Sequence, residues 1–191
     1  MKISRYIVGG QFMTNCYAVD DENGCIAVID PGSDAEKIRE LAEKDGGKIT
    51  HILITHGHSD HVGGVSELRD LTGAETVASQ GDLYRLHFDV DRVVSEGDVI
   101  KAGDLEFTVI ETPGHTEGGI CFLCGDYLFT GDTLFRNSIG RTDLGGGDIA
   151  VLMKSLKKLM DLPYDDLTVC PGHMGITSLQ YERENNPFLS R

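Results

Sequence analysis

Apolar residues fall along this chain in short runs, each cut off by a glycine, proline or acidic cluster, with amphipathic stretches of helical period between them. Asn15 to Val19 and Cys25 to Ile29 are two such runs, and the DDENG between them, ending in Gly24, predicts a β-hairpin. Ser33 followed by Glu36 has the form of a capping box. Ile38, Leu41 and Ala42 then make an apolar stripe and Gly46 a stop, which predicts a helix. KITHILITH, residues 48–56, predicts a strand, and VGGVSELRDLTG, residues 62–73, a weaker helix with Val62, Val65 and Leu68 on one side. LEFTVIETPGH, ICFLCG and DYLFTGD predict three strands broken by glycine turns. Residues 148–162 predict a second amphipathic helix capped by Asp148, DDLTVCPGH another strand, and TSLQYERENNPF a terminal helix stopped before Pro187. Hairpins first, then strands alternating with helices, without repeat or linker, imply a mixed α/β layered structure forming one domain over residues 1–191.

Composition narrows the function classes. The 191 residues carry 31 acidic against 17 basic side chains, a net charge of -14, which opposes the phosphate neutralisation that nucleic-acid binding needs. The basic run KSLKK, residues 154–158, reads as a solvated helix face. The N-terminal MKISRYIVGG lacks a secretory apolar core, and no stretch approaches the roughly 18 apolar residues of a membrane span. A soluble cytoplasmic protein is expected. Five cysteines, an odd number without a disulfide-framework spacing, fit reduced thiols. Cys121 and Cys124 form a lone CxxC in an apolar run and read as strand packing, as does Cys170. His51 and His87 stand outside any glycine turn and read as ordinary histidines. GGGD, residues 145–148, reads as a flexible turn, because it lacks the Lys-Ser/Thr of a phosphate loop.

The histidine-rich junctions change the picture. After Ile54 the chain runs THGHSDH, placing His56, His58, Asp60 and His61 within six positions. TPGH ends in His115, CPGH in His173 and TGD in Asp132, each at the end of an apolar run. A PGH alone is usually only a turn. Together, however, five imidazoles and two carboxylates at strand ends would leave many polar groups needing partners, at about 1–3 kcal/mol for each one unsatisfied. Neutral imidazole and carboxylate suit zinc, iron and manganese, and seven such groups exceed one tetrahedral ion, so two divalent ions are implied, zinc foremost. Gly63 and Gly64 are expected to let backbone approach the metals.

THGHSDHVGG, TPGHTEGG, GDTLF and CPGH resemble, in order and spacing, the motifs of the metallo-β-lactamase superfamily, over essentially the whole chain. The resemblance implies a four-layer αββα sandwich with metals at the shared edge of two mixed sheets. It implies His56, His58 and His115 on one metal, Asp60, His61 and His173 on the other, and Asp132 bridging. The best-known β-lactamases carry Cys where Asp132 stands, and flavodiiron proteins an acid in place of His58. GDTLFRNSIGRTD, residues 131–143, is most similar to short glyoxalase II-like members, which implies thioester hydrolysis of a small molecule such as an acylglutathione. The C-terminal helical domain of full-length glyoxalase II is expected to be absent, so its glutathione contacts are not carried over. Asp60 and His58 are the candidate catalytic side chains, and Arg136, Arg141 and Tyr181 candidate substrate contacts. Two such ions lower the pKa of a bound water towards ~7 and polarise a carbonyl, and a thiolate leaves without a strong acid. The alternatives are a persulfide dioxygenase-like enzyme holding one iron by His56, His115 and Asp132, a lactone or phosphoester hydrolase, and a metal-stabilised interaction module without catalysis.

Overall fold

The computed structural model describes residues 1–189; Ser190 and Arg191, the end of the expected 1–191 domain, lie outside the described residues. One six-stranded sheet contains β1 (Lys2–Val8), β2 (Thr14–Asp20), β3 (Cys25–Ile29), β4 (Lys48–Leu53), β5 (Glu75–Ser79) and β6 (Arg92–Val94), in that spatial order. Its first three strands are antiparallel neighbours and its last four are parallel. The second sheet contains β7 (Val99–Ala102), β8 (Leu105–Glu111), β9 (Ile120–Cys124) and β10 (Tyr127–Gly131), and the chain then forms a small hairpin of β11 (Leu134–Phe135) and β12 (Ser138–Ile139). After that, β13 (Thr168–Pro171) and β14 (Thr177–Ser178) complete the order β14-β13-β10-β9-β8-β7. Only β10 and β13 are parallel in this sheet.

Period-2 alternation sorts the side chains into layers. In β2, Tyr17 and Val19 face the second sheet, where they pack with Phe107, Phe122 and Phe129, while Cys16 and Ala18 face the outer helices. That outer layer is α1 (Ala35–Glu43) and α3 (Val65–Thr72), which bury Ile38 and Leu68 against Ile26, Val28 and Ile52. On the opposite side, α4 (Ile149–Met160) and α5 (Leu179–Asn185) cover the second sheet. Leu152, Leu156 and Leu159, spaced i, i+4, i+7, form the α4 stripe against Leu123, Leu128 and Val169. Burying each contributes about 1.5–3 kcal/mol. The four layers are helix, sheet, sheet, helix, as the motifs implied.

Asp148 caps α4, its Oδ1 accepting the Ala150 and Val151 N–H groups at 2.8 and 3.0 Å. The expected capping box at Ser33 does not form: Ser33 Oγ takes the Gly9 N–H at 2.9 Å, and Asp34, with φ 58°, precedes α1 without a side-chain cap. Leu41 also stays 37% exposed instead of joining the buried stripe. The helix expected over 62–73 divides into α2 (Ser59–Val62) and α3 around Gly63 and Gly64. Those glycines serve a different approach from the expected one. A Cβ on Gly64 would sit 2.7 Å from Pro31 O, so they admit the turn after β3 rather than a metal. Thr177 and Ser178 pair as a strand before the terminal helix begins.

Candidate metal centre

β4, β8, β10 and β13 all deliver their donors from their carboxyl ends, and the two sheets are joined there by Asn15 N–H to Gly172 O at 2.7 Å and Ile120 N–H to Thr55 O at 2.9 Å. Seven side chains from four separate junctions therefore converge. Donor atoms of His56, His58 and His115 lie within 4.8 Å of one another, and so do those of Asp60, His61 and His173. His58 Nδ1 is 2.9 Å from His115 Nε2, and His61 Nε2 is 3.3 Å from His173 Nε2. Asp132 stands between the groups, with Oδ2 3.4 Å from His115 Nε2 and Oδ1 3.3 Å from His61 Nε2. Gly172 is obligatory at this approach, because a Cβ there would strike Asp132 Oδ1 and lie 2.6 Å from His61 Cε1.

Hydrogen bonds behind the cluster fix which nitrogen each ring presents. Thr55 Oγ donates its one proton to Asp30 Oδ2 at 2.6 Å, so His56 Nδ1, 3.0 Å away, must donate to Thr55 and leave Nε2 bearing a lone pair. His115 Nδ1 donates to Arg141 O at 2.6 Å, and His61 Nδ1 to Asp30 Oδ2 at 2.9 Å, so both turn Nε2 inward. Asp30 is itself held by the Thr55 N–H at 2.8 Å, and Thr14 Oγ donates to Asp60 Oδ2 at 2.9 Å.

Electrostatics divide the cluster in two. Burial holds His56 well below its ordinary pKa and pulls His58 to about 4, with the charges of His115 and Arg85 adding to the latter, so these rings are neutral lone-pair donors. Burial would also lower His61 and His173. The carboxylates outweigh it, Asp132 and Asp30 raising His61 well above its usual value and Asp132 and Asp60 lifting His173 to about 9. Burial would raise the acids, but the hydrogen bond from His173 and the charge of His61 bring Asp60 to about 2, and His61 and His173 hold Asp132 far down. In the protein without metal, protons on His61 and His173 thus balance the two carboxylates. Four buried side-chain atoms lack a hydrogen bond among the described residues: Arg85 Nε and Thr116 Oγ outside the cluster, and His56 Nε2 and Asp132 Oδ1 within it. An N/O donor set with orphaned inward lone pairs fits divalent cations.

Of the expected substrate contacts, Arg136 and Tyr181 meet each other, while Arg141 is engaged elsewhere. Arg136 stacks on Tyr181 at 5.8 Å, beside Gly175 in the turn after His173. The Arg141 guanidinium is exposed and paired with Asp143 at 2.6 Å; its backbone carbonyl is what meets His115. His51 pairs with Glu75 at 3.2 Å, and Cys16, Cys121, Cys124 and Cys170 are buried free thiols. Sequence reasoning missed Asp30, Thr55 and Thr14. Asp30 carried a readable signal, since VIDPG has the same form as TGD, a carboxylate closing an apolar run. Among the described residues no helix is long and apolar enough to cross a membrane.

The profile of the Metallo-beta-lactamase superfamily matches residues 9–173. The chain is 44% identical to a hydroxyacylglutathione hydrolase of Rhodospirillum rubrum, over 85% of this chain and 60% of that protein. It is 34% identical to the hydroxyacylglutathione hydrolase GloC of Haemophilus influenzae, over 94% of each. Among solved structures, the BLEG-1 B3 metallo-beta-lactamase superposes with TM-score 0.92 at 29% identity over all of both chains. ETHE1 from Myxococcus xanthus gives 0.90 at 31% identity, covering all of this chain and 85% of that one. A di-iron-bound form of TTHA1623 gives 0.87 at 34% identity over 97% of this chain and all of the other.

Proposed function

The chain belongs to the metallo-β-lactamase superfamily, and from that premise we propose that it is a dinuclear metal-dependent hydrolase of small thioesters such as acylglutathiones. The observation that carries the reading is the pair of ligand triplets with Asp132 between them. His56, His58 and His115 would hold one ion, Asp60, His61 and His173 the other, and Asp132 both. When bound, such a pair supplies hydroxide at neutral pH and a Lewis acid for the attacked carbonyl.

The protein's own groups supply orientation. Thr14 pins the Asp60 oxygen that faces His173, which leaves the carboxylate able to take a hydrogen bond from the attacking group. His58, neutral and partly solvent-facing, acts here as a ligand; no proton donor is needed for a thiolate leaving group. Support for the thioester comes from two relatives named hydroxyacylglutathione hydrolase, one matched along 94% of its length. Zinc is the ion we assign first, and the di-iron form of a neighbour makes iron the competitor. The substrate is a small molecule rather than a nucleic acid or membrane, in keeping with the charge of -14.

A second reading, one iron with a dioxygenase-like reaction at His56, His115 and Asp132, has a specific observation in its favour. Both buried atoms of the cluster without a hydrogen bond belong to His56 and Asp132. It leaves the convergence of Asp60, His61 and His173 without a purpose, so we rank it second. Hydrolysis of S-D-lactoylglutathione with release of glutathione tests the first reading; oxygen consumption with a persulfide and no thioester hydrolysis would establish the second.

A further inference from the structure

A buried carboxylate that none of this chemistry uses lies behind the first histidine triplet. Asp82, in the 3-10 segment Gln80–Arg85, is 1% exposed. Its Oδ2 accepts the Gly57 N–H at 2.8 Å and its Oδ1 the Gly118 N–H at 2.9 Å, with Arg85 Nε 3.5 Å from Oδ1. Gly57 sits between His56 and His58, and Gly118 closes the turn that begins at His115. One side chain therefore ties together the two chain segments that carry all three rings. The packing around it has no slack: a Cβ on Gly57 would come 2.8 Å from Arg85 Cβ, and one on Gly81 2.7 Å from Gly118 Cα. Ser79 Oγ adds a further bond to Gly118 O.

Burying a carboxyl group is costly unless its oxygens are hydrogen-bonded, and here each takes a backbone donor, Gly57 and Gly118, 61 positions apart. The second triplet is held by other groups, Thr14 on Asp60 and Asp30 on His61. We propose that Asp82 is a positioning residue for the first metal position: by clamping the 56–58 and 115–118 turns together it sets the His58–His115 spacing and thereby the metal affinity of that triplet alone. The assignment rests on reading the two triplets as two metal positions.

The test uses the full chain, stripped of metal and titrated with cobalt(II), with the absorption bands as readout. Wild type is expected to bind two ions. In a His173→Ala background, which keeps the first triplet, adding Asp82→Asn should weaken the remaining ion about 10–100-fold and alter its spectrum. In a His58→Ala background, which keeps the second triplet, the same substitution should leave the affinity unchanged. If Asp82→Asn does not fold, judged by circular dichroism, Asp82→Glu gives the same comparison, because it keeps the charge but displaces the turns. Equal weakening in both backgrounds, or none in either while wild type binds two ions, overturns the role of Asp82 alone. A wild-type chain that binds no ion overturns the functional reading and this assignment with it.

Discussion

Thr55, one residue before the first candidate ligand, has a single hydroxyl proton and gives it to Asp30, which is why His56 can only face the cluster with a bare nitrogen. Asp30 also bonds His61, so one buried carboxylate orients two rings. Asp30→Asn is expected to weaken metal binding or activity about 10–100-fold without unfolding the chain, measured by metal titration and circular dichroism. His58→Ala should lose one of the two ions, and hydrolysis with it, while the fold survives; unchanged metal content would sink its assignment as a ligand. Burial pushes the Cys121 and Cys170 thiols up to about 12, so in the native state a thiol reagent should modify Cys25 first and leave these two unreacted. The seven candidate ligands were legible because a donor on a glycine turn after an apolar run is a local pattern. Thr14 and Asp82 were not, since Thr14 meets Asp60 46 positions away and Asp82 meets Gly57 25 away, and neither leaves a local mark.

Elements were read best where periodicity and cap agreed. In α4 the Leu152, Leu156, Leu159 stripe and Asp148 point to the same start and face, and Asp148→Ala should cost about 1 kcal/mol, seen as a lowered Tm with the site unaffected. At α1 the local signal was overridden: Ser33 is drawn off by the Gly9 N–H, a contact 24 positions away in sequence. The strands that sequence did not show are β1, β5 to β7 and the two-residue β11, β12 and β14. β1 is the edge of its sheet and largely exposed, so Lys2, Ser4 and Arg5 break up its apolar pattern. β6 has only three residues, too few for a period to register.

At the scale of the molecule, the four layers exist to hold two sheet edges together, and their shared edge concentrates charge. Without metal, the raised His61 and His173 contribute stability that is complete below about pH 6.5, the unfolded histidine value, and lost as pH rises through about 9. The depressed His56 and His58 oppose folding increasingly as pH falls below about 6.5. Asp60, at about 2, loses its contribution only in stronger acid. The Tm of metal-free protein should therefore peak near about pH 6.5 and fall towards pH 9; a flat or rising profile there would contradict this charge pattern. The most direct test of the central claim is metal content per chain on protein purified without added metal, paired with S-D-lactoylglutathione turnover on the same sample. The account predicts two ions per chain and stoichiometric release of glutathione. One iron per chain without thioester hydrolysis would contradict it.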